Sequence, residues 1–154
     1  MKKSSREPIE RFFSHPAFVV VGASRGGKGF GWTAYRELKK LGHKVFAVHR
    51  EPGVYQGETF YGSVSEVPGQ PRAALVVIPR EGAPDMVREL IDQGVEAVWL
   101  QPGAESEAAA RACQEKGVAV VNGWCIMMFA EPVKSVHRFH RACLKLTRRL
   151  PQKA

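Results

Sequence analysis

The chain of 154 residues lacks the long hydrophobic run that a membrane span requires. Its apolar stretches are only as long as a strand, and no apolar segment follows the charged first residues, so we expect neither a membrane span nor a secretory signal. Cysteine is scarce: Cys113, Cys125 and Cys143 form neither a CxxC pair nor an even set. Reduced thiols in a cytoplasmic protein are therefore expected.

Acidic residues are missing near the end of the chain. Residues 134–153 contain seven basic and no acidic residues, so the net charge of +8 describes the ends rather than the nearly neutral body. Apolar residues recur there every three or four positions, which predicts a basic amphipathic helix over 132–150. We expect residues 132–154 to pack on the domain or on a partner subunit, with a homodimer left open. Nucleic-acid binding is not favoured, because a run of charged residues is usually a solvated face and only one aromatic residue, Phe139, lies within this run.

Five apolar, β-branched-rich runs without alternation predict the strands of a parallel sheet covered on both faces. Helix-like segments that end at glycine lie between them, so residues 1–131 predict one Rossmann-like, doubly wound α/β domain with a mainly parallel five-stranded sheet. Glu51–Arg72 breaks the rhythm with prolines and glycines and predicts a loop or short turn. The predicted strands are Phe18–Val21, Val45–Val48, Ala74–Ile78, Val95–Leu100 and Val118–Val121, and the helices are Trp32–Leu41, Pro84–Gln93 and Glu105–Lys116.

A glycine-rich loop follows the first strand and leads into a helix. Glycine lets the backbone approach a ligand, and the free N–H groups of the helix start favour an anion. The loop has Ser24 where a dinucleotide motif needs glycine, and Lys28 has the wrong spacing for a Walker loop. The residues therefore predict phosphate binding without specifying the nucleotide. The candidate contacts are Gly22, Ala23, Ser24, Arg25, Lys28 and Gly29.

The second strand ends in Val48, His49 and Arg50, where an enzyme that uses NAD has an acidic residue for the ribose. A basic residue there suits a ribose that carries a phosphate, as in NADP or coenzyme A. The residues alone do not distinguish NADP from coenzyme A as the ligand.

The remaining strands also place candidate contacts at their carboxyl ends, where ligands of such sheets bind. The third strand runs into Ile78, Pro79 and Arg80, and the fourth ends at Gln101. Cys125 follows the fifth strand and is either a buried hydrophobe or a neighbour of a ligand thiol.

The motifs VVVGAS, AVHREPG, ALVVIP, AVWLQPGAESEAAARACQEKG and VVNGWCIMM together resemble the small CoA-binding protein family. The same segments are similar to the N-terminal CoA-binding domain of the succinyl-CoA synthetase α subunit. The resemblance spans roughly residues 12–129, and the stretch from WLQPG to CIM is its most specific part.

This resemblance implies coenzyme A, or an acyl-CoA, as the ligand. The glycine loop would hold the diphosphate, and Val48, His49 and Arg50 would border the adenosine and its 3′-phosphate. Ile78, Pro79 and Gln101 would line the path of the pantetheine, and Cys125 would lie near the thiol end.

The resemblance also implies a protein that is not an enzyme. The synthetase α subunit depends on a phosphorylated histidine in a second domain, and we expect no such domain here. The five histidines show no triad and no metal-ligand spacing. We therefore predict a non-catalytic carrier or sensor, with an NADP-binding oxidoreductase-like domain as the alternative.

Overall fold

A computed structural model describes residues 1–131 of the chain. The amphipathic helix predicted for residues 132–150 lies outside the described residues.

The described residues form a seven-stranded sheet in the order β3-β4-β2-β1-β5-β6-β7. All neighbouring strands are parallel except β3 and β4. The Rossmann-like α/β class is confirmed. The strands are β1 (Ala17–Val21), β2 (Lys44–Val48), β3 (Gly53–Tyr55), β4 (Glu58–Tyr61), β5 (Ala73–Val76), β6 (Ala97–Leu100) and β7 (Ala119–Val121).

The predicted count of five strands was wrong because β3 and β4 lie in the segment 51–72, which was predicted to be a loop. Gln56 and Gly57 both adopt positive φ, 53° and 75°, and they join β3 to β4 as a tight hairpin turn. Phe60 of β4 is buried, and β4 then pairs with β2. Short strands of three and four residues give little periodic signal, so the sequence pattern did not reveal them.

Within residues 1–131, four helices cover the sheet: α1 (Arg6–Ser14), α2 (Gly29–Lys40), α3 (Ala83–Asp92) and α4 (Glu107–Glu115). Short 3₁₀ turns follow β4, β5 and β7, at Val64–Glu66, Arg80–Gly82 and Ile126–Met128. Helix α1 was not predicted. Its buried residues, Ile9 and Phe12, are three apart, and they pack in the core with Trp99 of β6.

The sheet separates two hydrophobic cores. Alternate strand residues face opposite sides, so Phe18 and Val20 pack with α1 and α2, whereas Val19 and Val21 pack with α3 and α4. Two covered faces explain why the strands read as unbroken apolar runs. Among residues 1–131, no helix has the length and apolar character needed to cross a bilayer.

The first residues are tied to the end of β7 and form an N-terminal strap (residues 2–4). The Ser4 N–H donates to the Asn122 carbonyl at 3.0 Å, and the Asn122 amide donates to the Lys2 carbonyl at 2.6 Å. The Trp124 indole N–H donates to the Ser4 carbonyl at 2.9 Å. These bonds fix the path of the chain beyond β7, just before Cys125.

Candidate functional site

The carboxyl ends of β1, β2, β5 and β6 lie along one edge of the sheet. Val21 pairs with both Val48 and Val76, and Val76 pairs with Leu100. The segments that follow these strands are therefore neighbours, although they are far apart in sequence. This register brings the predicted site residues to one edge.

A cavity of about 320 Å³ opens at this edge between the strand ends and helix α3. Its volume lies at the lower end of the roughly 300–1,000 Å³ that is typical of ligand pockets. Six of the predicted site residues line it: Gly22, Val48, His49, Arg50, Ile78 and Pro79.

The rest of the cavity wall was missed by sequence reasoning. Met86 and Leu90 of α3, with Val64 after β4, add apolar surface, and Glu89 and Gln93 add polar atoms. The Gln93 side-chain oxygen accepts the Val64 N–H at 2.7 Å, which ties α3 to the turn after β4. Met86, Leu90 and Gln93 share one helix face by their spacing, but that spacing alone does not separate a cavity wall from a core face.

Glycine is sterically required at two positions of the loop after β1. Gly22 has φ +101°, and a Cβ there would overlap the carbonyl oxygen of Val77 beyond β5. A Cβ on Gly31, in the first turn of α2, would overlap the carbonyl oxygen of Gly22. These contacts let α2 begin directly against the loop, with its free N–H groups near the carboxyl edge.

The other loop residues are more open. The Ser24 hydroxyl accepts the Gly26 N–H at 3.2 Å, which shapes the turn, while Ala23 is buried in the core. Lys28 immediately precedes α2, and both Lys28 and Gly29 are exposed. The Lys28 side chain makes no capping hydrogen bond at this helix start. An anion there would meet backbone N–H groups and the positive end of the helix dipole.

Arg25 points to the β3–β4 hairpin. Its guanidinium forms an ion pair with Glu51, donates to the Tyr55 hydroxyl at 2.9 Å and lies 4.7 Å from the centre of the Tyr55 ring. Arg25 and Glu51 do not line the cavity. Glu51, the acidic residue that follows Arg50, thus contacts the glycine loop.

The hairpin itself is anchored to α2 by Glu58. Its carboxylate accepts from the Tyr35 hydroxyl at 2.8 Å and from the Lys39 ammonium at 2.5 Å. Burial raises the pKa of Glu58, but these two hydrogen bonds and the charge of Lys39 outweigh it and hold the pKa below its ordinary value of 4.5. Burial and the hydrogen bond to Glu58 also raise the pKa of Tyr35.

His49 and Arg50 form the basic side of the cavity. The Glu51 N–H donates to Nδ1 of His49 at 3.1 Å, so a neutral His49 has its proton on Nε2. The His49 ring packs edge-on against Phe60, with 6.3 Å between ring centres. Arg50 is exposed at the rim, where its charge is available to an anionic group.

At the other end of the edge, Gln101 is bonded to the residue that follows Cys125. Gln101 is buried, and its side-chain oxygen accepts the Ile126 N–H at 3.2 Å. Half-buried Cys125 is thereby held beside the carboxyl end of β6. Arg80 is exposed in the turn after β5 and does not line the cavity. Within residues 1–131 no three His, Cys, Asp or Glu side chains are grouped to bind a metal.

Residues 16–131 match the family described as CoA binding domain. The chain belongs to this family, and the resemblance inferred from its motifs is confirmed.

The chain is similar to parts of two enzymes named for coenzyme A and to nearly the whole of one hypothetical protein. The chain is 32% identical over 93 residues to the α subunit of an ADP-forming acetate–CoA ligase II from Pyrococcus furiosus. That match covers 60% of this chain and 20% of the ligase subunit, so the chain spans about one fifth of that relative. An acetyl-coenzyme A synthetase 1 from Candidatus Korarchaeum cryptofilum is similar over 73% of this chain and 27% of its own, with 25% identity and a TM-score of 0.62. A hypothetical protein from Pyrococcus horikoshii shares the fold over 86% of this chain and 99% of its own, with 21% identity and a TM-score of 0.74.

Proposed function

We propose that this chain is a cytoplasmic coenzyme A or acyl-CoA binding module that acts as a carrier or sensor. The observation that carries the proposal is the cavity at the carboxyl edge, which is largely apolar inside, has His49 and Arg50 on the side of β2, and is continuous with the glycine loop through Gly22. This combination suits an adenosine 3′-phosphate, because the apolar wall can contact the flat base and the basic side chains can bind the phosphate.

The other parts of the ligand are assigned along the same edge. Ser24, Lys28 and the N–H groups at the start of α2 receive the diphosphate. The pantetheine then runs past Ile78 and Pro79 toward Gln101, and its thiol lies near Cys125. The NADP alternative is not favoured, because the family and the acyl-CoA enzymes to which the chain is similar bind or use coenzyme A.

Binding of the 3′-phosphate is tested by comparing coenzyme A, dephospho-coenzyme A and NADPH in thermal-shift and calorimetric titrations. Coenzyme A is expected to raise the melting temperature most, because stabilisation grows with the ratio of ligand concentration to Kd. NADPH is expected to give almost no shift. No stabilisation by coenzyme A, or equal stabilisation by NADPH, would refute the proposal.

The role of Arg50 is tested in the same titrations with Arg50→Ala. The affinity for coenzyme A is expected to fall about tenfold. This loss is at the lower end of the range for a hydrogen bond to a charged group, because Arg50 is exposed to solvent. The affinity for dephospho-coenzyme A is expected to stay unchanged. Arg111→Ala is the matched control, because Arg111 is an exposed arginine of α4 that does not line the cavity.

The non-catalytic part of the proposal has its own support and its own test. His49 is the one histidine among residues 1–131 that lines the cavity, and it is engaged by the Glu51 backbone. We expect the purified protein to hydrolyse acetyl-CoA no faster than buffer does. A turnover that scales with protein concentration and disappears in His49→Ala would show instead that the module is an enzyme.

A further inference from the structure

Arg25 is the arginine of the loop assigned to the diphosphate, yet its guanidinium is held by a carboxylate of the same chain. Glu51 forms the ion pair, and the Tyr55 hydroxyl accepts a hydrogen bond at 2.9 Å. The side chains of Arg25 and Glu51 are 33% and 63% exposed, so a ligand phosphate has access to both.

The backbone that carries Glu51 is anchored on both sides. Its own N–H is bonded to His49 at the cavity, and the hairpin that begins just after it is tied to α2 through Glu58. At the hairpin turn, Gln56 packs close to Gly27 of the loop. The backbone of Glu51 therefore holds its carboxylate next to the loop that carries Arg25.

We propose that Glu51 competes with the diphosphate of the ligand for the Arg25 guanidinium and thereby lowers the affinity of the site. This inference rests on the proposed function. The diphosphate carries two negative charges, one on each phosphate, against the single charge of the Glu51 carboxylate, and its oxygens can accept charge-assisted bidentate bonds from the guanidinium. An exposed ion pair contributes little in comparison, so the exchange of Glu51 for phosphate is favourable.

The sign of the expected effect follows from this competition. Glu51→Gln removes the competing charge and is expected to tighten coenzyme A binding roughly two- to fivefold, which corresponds to the strength of an exposed ion pair. The same gain is expected for dephospho-coenzyme A, because both ligands carry the diphosphate. Arg25→Gln is expected to weaken both ligands, and Glu51→Gln added to Arg25→Gln is expected to change nothing further.

Isothermal titration of the full chain with both ligands tests the inference, with Glu81→Gln as the matched control. Glu81 is an exposed glutamate in the turn after β5 at the same edge, so its replacement changes the net charge equally. The melting temperature of each variant establishes that it folds.

The outcomes distinguish a failure of the proposed function from a failure of the proposed competition. If the unaltered protein does not bind coenzyme A, the proposed function fails. If it binds but Glu51→Gln binds equally or more weakly, the competition is refuted while the proposed function stands. An equal gain in Glu51→Gln and Glu81→Gln also refutes it, since a general change in charge then explains the effect.

Discussion

The packing of the glycine loop against β5 makes a sharp prediction for Gly22→Ala. At this position two costs combine: a backbone φ of +101° that suits glycine, and a Cβ that overlaps the Val77 carbonyl. Gly103 has nearly the same φ, +103°, but a Cβ there meets no atom within 4 Å. The pair Gly22→Ala and Gly103→Ala therefore separates the steric cost from the conformational cost.

The expected losses of folding free energy follow from these two costs. Alanine at positive φ costs about 1–2 kcal/mol, which is the whole expected effect at Gly103. At Gly22 the overlap with backbone adds about 1–3 kcal/mol, because Val77 is held by the N–H bond that it donates to the Val21 carbonyl at 2.8 Å. We expect a total loss of about 2–5 kcal/mol for Gly22→Ala.

Urea unfolding of the protein without ligand measures these losses, with the slope of the transition compared to exclude a change in the unfolded state. For a chain of this size, each kcal/mol lowers the melting temperature by roughly 2–4 °C. Equal losses for the two variants would refute the steric argument. A larger loss for Gly103→Ala would show that the loop after β1 yields more easily than its contacts indicate.

Two further predictions concern single side chains. The pKa of Glu58 is lower in the folded than in the unfolded chain, so its contribution to stability is present above about pH 4.5 and is lost as the pH falls through the folded-state pKa. Glu58→Gln is therefore expected to flatten the fall of the melting temperature below about pH 4.5, and an unchanged slope would contradict the assignment. In the Cys143→Ser background, the thiolate of Cys125 is expected to attack coenzyme A disulfide, forming a mixed disulfide and releasing coenzyme A thiol, faster than it attacks glutathione disulfide. Buried Cys113, whose pKa burial raises to about 12, is the unreactive control, and equal rates with both disulfides in mass spectra would refute a thiol end near Cys125.

The sequence predicted the central sheet and its functional edge because both depend on strong local signals. Runs such as Ala73–Val76 are apolar on both faces, and parallel strands end on one side of the sheet, so Arg50, Ile78 and Gln101 were assigned to the same edge without knowledge of the contacts. His49, Arg50 and Ile78 line one cavity at that edge, and their contact with a ligand stays a prediction.

The features that were missed depend on tertiary contacts. The hairpin β3–β4 has only three- and four-residue strands and is defined by its pairing with β2 and its anchor at Glu58. The orientation of Arg25 follows from that hairpin, so no pattern within the loop itself predicts it. The spacing of Ile9 and Phe12, three residues apart, is compatible with a buried helix face in α1. The charged residues around them made this short apolar pattern hard to recognise in the sequence.

The N-terminal strap has a consequence for the order in which the protein is completed during synthesis. Ser4 binds Asn122, which lies 118 residues later. At a translation rate of about 5–20 residues per second, Ser4 is synthesised roughly 6–24 s before its partner. Helix α1, which packs against β6 and β7, also lacks its main partner strands until then, and the segment that leads from β7 to Cys125 is secured only after nearly all of the domain has been translated.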